Sequence, residues 1–137
     1  MYDIENYYNA STIEEAVRLL KEHPDTRVIS GGSDVLIKIR EGKMAGTSLV
    51  SIRDIKELNG ITKKENGDIY IGAGTTFSHI TNDPVIQENI PVLGEAVDQV
   101  GGPQIRNIGT IGGNICNGAV SADSAPTVFS LNALLRI

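Results

Sequence analysis

Glycine is concentrated in two stretches of this chain, and these stretches constrain the fold more than any other feature. The longer one spans residues 101–123 and contains six of the 15 glycines among 137 residues. The shorter one is Gly31-Gly32, which lies upstream between two apolar runs. Glycine permits positive φ angles and lets a ligand lie against bare backbone. A single glycine-rich stretch is usually a connecting loop, but the presence of a second one favours a ligand site.

The longer stretch also carries small polar side chains between its glycines. They are Thr110, Asn114, Asn117 and Ser121, followed by the carboxylate of Asp123. A carboxylate accepts a hydrogen bond from a hydroxyl or an amide, and the backbone N–H groups of such a stretch are donors for a buried anion. The stretch therefore predicts one wall of a ligand site, with hydrogen-bonding groups for the phosphate, the sugar and the ring edges of a ligand.

The shorter stretch has the pattern of a strand, a turn and a helix. Val28-Ile29 precedes it, and Ser33-Asp34 leads into an apolar run that begins at Val35. Unpaired N–H groups at a turn that opens a helix favour phosphate. The spacing fits neither the P-loop nor the dinucleotide fingerprint, and the run at 71–76 also lacks the third glycine of that fingerprint.

The hydrophobic pattern predicts an α+β fold rather than a doubly wound sheet. A capping box at Ser11 and Thr12 opens the first helix, which we expect to end before Pro24. Asn66-Gly67 marks a β-hairpin between strands at 61–65 and 68–73. The remaining predicted elements are a parallel strand, helix and strand at 27–30, 34–40 and 47–52, helices at 76–81, from Asp83, at 92–100 and at 125–132, and a strand that begins at Leu134.

Composition and charge exclude several classes of function. The net charge is −5, and the basic residues are scattered rather than striped, which argues against a nucleic-acid surface. No apolar run approaches the roughly 20 residues of a membrane span, and the N-terminus lacks a signal pattern. With a single cysteine, a disulfide framework is excluded. We expect a cytoplasmic protein that does not bind membranes.

Two residues of the longer stretch leave alternatives open. Arg106 either helps to bind an anionic ligand or pairs with Glu95 or Asp98. Cys116 has no acid–base partner adjacent in sequence, so we expect a small packing thiol near the ligand rather than a nucleophile.

Several motifs together resemble one known family. They are Gly31-Gly32-Ser33-Asp34, the run at 71–76, and Gln104-Ile105-Arg106-Asn107 leading into Thr110-Ile111-Gly112-Gly113-Asn114 and Asp123. In this order they resemble the FAD-binding subunit of molybdenum hydroxylases, which include xanthine and carbon monoxide dehydrogenases. The match runs from about Asn6 to the C-terminus. Cys116-Asn117-Gly118-Ala119 reads like the bacterial xanthine dehydrogenase branch.

The resemblance implies a PCMH-type FAD-binding fold. A small parallel βαβ lobe at about 1–58 is expected to precede part of a second, mixed or antiparallel lobe at about 59–137. Family chains are longer, so we also expect a truncated chain that lacks the rest of the second lobe and a C-terminal flavoprotein domain.

The resemblance also assigns cofactor contacts to both stretches. Backbone N–H groups at 30–34 and 110–114 are expected to hold the pyrophosphate of FAD, with Asn117 and Asp123 at polar edges. Ser33 stands where some flavoproteins of the broader fold carry a histidine that tethers FAD, so we expect noncovalent binding. The full set is Ile29, Ser30, Gly31, Gly32, Ser33, Asp34, Val35, Val100, Gly109, Thr110, Ile111, Gly112, Gly113, Asn114, Asn117 and Asp123.

The function implied by the resemblance is electron transfer within an oxidoreductase. Electrons would pass from [2Fe–2S] centres in one partner subunit, through FAD, to NAD or another acceptor, and a further partner would carry molybdopterin. No residue is expected to act as a general acid or base, and no metal is expected in this chain. Two alternatives remain, an assembly subunit that binds flavin weakly or not at all and a standalone flavin reductase of the same superfold. The Gln104-Ile105-Arg106-Asn107 motif disfavours the second.

Overall fold

The computed structural model describes residues 2–137 and has the predicted α+β architecture. The strands are β1 (Ile4–Asn9), β2 (Arg27–Ile29), β3 (Thr47–Ser51), β4 (Ile61–Lys63) and β5 (Ile69–Ile71). The helices are α1 (Ile13–Glu22), α2 (Val35–Arg40), α3 (Phe77–Asn82), α4 (Pro84–Asn89), α5 (Pro91–Asp98), α6 (Pro103–Arg106), α7 (Ile111–Asn117) and α8 (Ser124–Ser130). A short 3-10 helix, Lys56–Leu58, separates the two sheets along the chain.

The first sheet is parallel and has the strand order β1-β3-β2. Neighbouring residues of a strand point to opposite faces, and the central strand shows this clearly. Val50 packs in one cluster with Ala16 and Leu19 of α1, whereas Leu49 packs in another with Ile39 of α2. The sheet is therefore covered by α1 on one face and α2 on the other, and the predicted parallel unit of β2, α2 and β3 is confirmed.

Helix α1 begins at the predicted capping box. The Thr12 hydroxyl accepts from the Glu15 N–H at 3.1 Å, and the Glu15 carboxylate accepts from the Ser11 N–H at 2.8 Å. This reciprocal pairing satisfies two backbone donors that the first turn cannot use. The helix ends at Glu22, before Pro24 as expected.

The second sheet is the predicted hairpin. Strands β4 and β5 pair antiparallel, and the turn between them contains Gly67 at φ +90°. Helices α3 to α5 follow and enclose the main cluster of buried side chains in this part of the chain. Its members are Phe77, Ile80, Ile86, Leu93, Val97 and Ile111. The division into two lobes near residue 58 stays a prediction, although the strands of each sheet fall on opposite sides of that point.

The sequence-based predictions differ from the structure in several elements, and helix α6 is one that was not predicted. Strand β1 was not predicted, residues 134–137 form neither strand nor helix, and helix α7 lies inside the stretch expected to be a glycine wall. The Thr110 side chain caps α7 by accepting from the Gly113 N–H at 3.1 Å, and Ile111 is buried. The cap and this burial offset the low helix propensity of Gly112 and Gly113. Across the described residues, no helix has the length and apolar character needed to span a bilayer.

Candidate functional site

The two glycine-rich stretches touch each other in the folded chain. The turn at 31–34 is called the first cluster, and residues 101–123 are called the second cluster. A Cβ atom built on Gly31 would overlap the carbonyl oxygen of Ile108 and would lie 3.1 Å from the Cα of Gly109. Only glycine allows this approach, because any side chain would occupy the space of the facing backbone. The turn at 31–34 and the start of the second cluster therefore form one continuous surface.

Four backbone donors of the first cluster are open. The N–H groups of Gly31, Gly32, Ser33 and Asp34 donate to no acceptor within residues 2–137. The turn is held by the Gly32 carbonyl, which accepts from the Leu36 N–H at 3.0 Å. Gly32 has φ +77°, a backbone conformation that residues other than glycine rarely adopt. Successive open N–H groups at such a turn suit an anionic ligand.

The second cluster is different, because its amide donors are already used. Ile111 N–H donates to the Thr75 carbonyl at 3.1 Å, Gly112 N–H to the Ala73 carbonyl at 2.9 Å, and Asn114 N–H to the Thr110 carbonyl at 3.0 Å. Gly113 N–H donates to the Thr110 hydroxyl. Backbone N–H groups of both 30–34 and 110–114 are expected to bind the pyrophosphate. In the structure, the N–H groups without an acceptor are concentrated in the first cluster.

The run at 71–76 braces the second cluster instead of forming a separate ligand loop. Phe77 N–H donates to the Gly109 carbonyl at 3.1 Å, and Thr76 forms an isolated antiparallel bridge with Thr110. The buried Thr75 hydroxyl accepts from the Gly60 N–H at 2.9 Å and donates to the Gly60 carbonyl at 3.1 Å. Backbone pairing along 73–77 therefore fixes the position of residues 109–112.

The side chains of Asn114 and Asn117 are oriented by donors from other elements. The Asn114 Oδ1 accepts from the Ser124 hydroxyl at 2.6 Å, and Ser124 is fully buried. The Asn117 Oδ1 accepts from the Lys38 ammonium at 2.8 Å. With both oxygens occupied, each amide keeps its NH₂ group available as a donor. Helix α7 thereby holds two amide donors three residues apart, on one side of the helix.

The other expected contacts divide into exposed and packed residues. Asp123 is exposed and precedes α8, but its carboxylate makes no capping hydrogen bond. Ile29 and Ile111 are buried core residues, at 7% and 5% exposure. The packed or half-buried remainder of the set is Ser30, Val35, Val100 and Gly109.

Arg106 pairs with Asp98, which was one of the two alternatives expected for it. Its Nε lies 3.1 Å from the Asp98 carboxylate, and its Nη1 donates to the Gly101 carbonyl at 2.8 Å. Arg106 thus ties α5 to α6 across the turn at 101–102. Cys116 is exposed, so the expectation of a packing thiol is wrong.

One surface depression lies on a different part of the described chain. It has a volume of about 550 Å³ and is lined by Ile13, Glu14, Val17, Arg18, Lys21 and Glu22 of α1. No residue of either glycine cluster lines it. It is a shallow, open feature of one face of α1, so the glycine clusters remain the stronger candidate for a ligand site.

Comparison with known proteins places the chain in one group. Residues 2–137 match the family described as the FAD binding domain in molybdopterin dehydrogenase. The chain is 42% identical over 137 residues to the putative xanthine dehydrogenase FAD-binding subunit XdhB of Escherichia coli (strain K12), covering 100% of this chain and 47% of that one. It is 39% identical over 135 residues to the nicotinate dehydrogenase FAD-subunit of Eubacterium barkeri, covering 97% and 45%.

A solved structure agrees with these relatives. Reconstituted CO dehydrogenase from Oligotropha carboxidovorans superimposes with a TM-score of 0.82 at 32% identity, covering 87% of this chain and 42% of that one. The chain therefore spans about half the length of the curated relatives it matches.

Proposed function

This chain belongs to the family of FAD-binding domains in molybdopterin dehydrogenases, and we propose that it binds FAD noncovalently as the electron-transfer module of a molybdenum hydroxylase. The observation that carries the proposal is the set of open N–H groups at Gly31, Gly32, Ser33 and Asp34. They lie in a turn that packs directly against the second cluster.

The residues present fit the pyrophosphate of FAD. A diphosphate needs several convergent donors and little competing negative charge. The turn at 31–34 supplies backbone donors, while Asn114 and Asn117 supply amide NH₂ groups from α7. Ser33 is a poor tether, because a serine hydroxyl lacks the nucleophilicity of an activated side chain. This residue supports the proposal of noncovalent binding.

When bound, FAD accepts electrons from one donor and passes them to another, so the chemistry belongs to the cofactor. The chain's own residues hold the cofactor and fix its orientation. We further propose an iron–sulfur subunit as the electron donor, a molybdopterin subunit as a further partner, and NAD as one candidate acceptor. The relatives belong to xanthine, nicotinate and carbon monoxide dehydrogenases, which differ in substrate although these subunits are similar to the same chain. This supports a substrate site on another subunit.

Titration of the purified chain with FAD, ADP and riboflavin tests the binding. If the turn at 31–34 grips the diphosphate, FAD binds at one equivalent and ADP competes with it, because both carry the two phosphates. Riboflavin lacks phosphate and is expected to bind far more weakly. Absence of FAD binding would remove the flavin function and favour the assembly role.

Replacing Asp123 by alanine tests a polar edge of the site. A charge-assisted hydrogen bond contributes roughly 1.5–3 kcal/mol, so FAD affinity is expected to fall by about tenfold to a hundredfold. Stability is expected to stay unchanged, because the Asp123 carboxylate is exposed and caps nothing. The measurements are FAD titration and denaturant unfolding.

Asp83→Ala is the matched control. The Asp83 carboxylate accepts from the Val85 N–H at 2.9 Å and caps α4, so its loss lowers stability by about 1 kcal/mol and leaves FAD affinity unchanged. If Asp123→Ala also leaves the affinity unchanged, Asp123 does not contact the cofactor.

A further inference from the structure

Lys38 is a cation that joins the two halves of the candidate site. It is the fourth residue of α2 and donates from its half-buried ammonium to Asn117 at the end of α7, at 2.8 Å. The two residues are 79 positions apart in sequence. This hydrogen bond therefore connects the helix that follows the first glycine cluster with the helix that lies in the second.

The partner of Lys38 is neutral. No carboxylate within residues 2–137 lies within salt-bridge distance of its ammonium. An ammonium has three N–H donors and no acceptor, and Asn117 uses one of them. The positive charge therefore has no carboxylate partner among residues 2–137. Its two remaining N–H donors could bind an anionic group that lies nearby.

The other cationic candidate of the site is already committed. Arg106 is paired with Asp98 and with backbone carbonyls. The chain as a whole carries a net charge of −5, which opposes an anionic ligand. Lys38 lies one helical turn after Asp34, about 6 Å along the axis of α2, and its long side chain extends over a similar distance. Lys38 is therefore one helical turn from Asp34, which carries the last of the open donors.

We propose that Lys38 is a binding residue for the anionic part of FAD and that it also orients Asn117. This inference rests on the proposed FAD function. Because an ammonium only donates, the hydrogen bond fixes the Asn117 Oδ1 toward Lys38 and turns the Asn117 NH₂ away from it. One lysine thus supplies positive charge and selects a donor, rather than an acceptor, at the end of α7.

The test compares Lys38→Met, Lys38→Arg and Lys43→Met in the full chain. Methionine keeps the length of the side chain and removes its charge. Lys43 pairs with Glu41 at 2.8 Å on the exposed surface, and the hydrogen bond to that carboxylate, together with its charge, raises the pKa of Lys43. Lys43→Met therefore removes the same unit of charge away from the site.

Lys38→Met is expected to weaken FAD and ADP binding about tenfold, the loss typical of one charge-assisted hydrogen bond. Lys38→Arg is expected to restore most of the affinity, and Lys43→Met to leave it unchanged. The dissociation constant of the unmodified chain should rise with KCl more steeply than that of Lys38→Met, because screening weakens a charge–charge contact. Riboflavin binding should not respond to Lys38→Met.

Three other results would overturn the inference or its premise. Equal FAD affinity in Lys38→Met and Lys43→Met would show that Lys38 does not contact the ligand. A lower unfolding midpoint without FAD, an unchanged salt dependence and no rescue by arginine would reduce Lys38 to a stabiliser of the end of α7. Failure of the unmodified chain to bind FAD would reject the proposed function itself, and the inference with it.

Discussion

Gly31→Ala is expected to lower the free energy of unfolding by about 1–3 kcal/mol and to reduce FAD affinity by about a hundredfold or more. The added methyl group would overlap the Ile108 carbonyl, which is backbone and yields only if the two clusters move apart. Displacing the turn misaligns several open donors at once, and the loss of two charge-assisted hydrogen bonds alone accounts for about a hundredfold. Denaturant unfolding and FAD titration measure the two effects.

Gly94→Ala is the matched control for this variant. The same methyl group on α5 would lie 3.5 Å from the Ile86 side chain, which is ordinary contact. Alanine is a better helix former than glycine by up to about 1 kcal/mol, so stability is expected to stay the same or rise while FAD affinity does not change. If Gly31→Ala behaves like Gly94→Ala, the contact between the two clusters does not position the turn.

The local elements of the fold were readable from sequence because each rests on short-range chemistry. The box at Ser11, Thr12 and Glu15 marks the start of α1, and Asn66-Gly67 fixes the hairpin. The parallel unit of β2, α2 and β3 follows from its pattern of apolar runs and crossover. The family resemblance is confirmed by the match of residues 2–137 to the FAD binding domain in molybdopterin dehydrogenase.

The elements that sequence reasoning missed depend on long-range contacts. Strand β1 exists through pairing with β3, about 40 residues later. Helix α7 forms in spite of two glycines because residues 73–77 hold its first turn by backbone hydrogen bonds. At the other end, residues 134–137 pair with no described strand. The intrinsic helix and strand propensities of the residues do not reveal such long-range contacts.

The site residues stay a prediction, but the structure adds contacts that the sequence does not show. Both glycine clusters were identified, but the sequence does not show that Gly31 packs on Ile108 or that the amides at 111–114 are already bonded. Lys38 gave no signal, because a lysine on an amphipathic helix looks like a solvated residue. Its proposed role rests on its hydrogen bond to Asn117, a neighbour far away in sequence.

A substitution at Gly32 is expected to affect both stability and FAD affinity, so it cannot tell the two effects apart. It has φ +77°, and a Cβ there would lie 3.1 Å from the Ile29 side chain and 3.3 Å from Leu36. A branched residue would strain the backbone and crowd the core beneath α2. Gly32→Val is therefore expected to lower both stability and FAD affinity, and its loss of binding has no single cause.

Gly113→Val is the variant that separates the two effects. Gly113 is exposed, and a Cβ there would approach only the Thr110 hydroxyl, at 2.9 Å. Valine gains some helix propensity over glycine and disturbs the cap of α7, which contributes about 1 kcal/mol. The unfolding free energy is thus expected to change by no more than about 1 kcal/mol. FAD affinity is expected to fall by about a hundredfold or more, because the branched side chain occupies the face on which the pyrophosphate is proposed to lie.

Gly113→Ala grades the effect, since its single methyl group fills less of that face. A steric block predicts that affinity falls from glycine to alanine to valine, while the unfolding free energy shows no such order. ADP should follow FAD through the series, because the obstruction meets the phosphates. Unchanged FAD affinity in both variants would show that the cofactor does not contact this face of α7. The turn at 31–34 would then remain as the proposed binding element. Parallel losses of stability and affinity would instead mean that Gly113 maintains the cap at Thr110 and does not face the ligand.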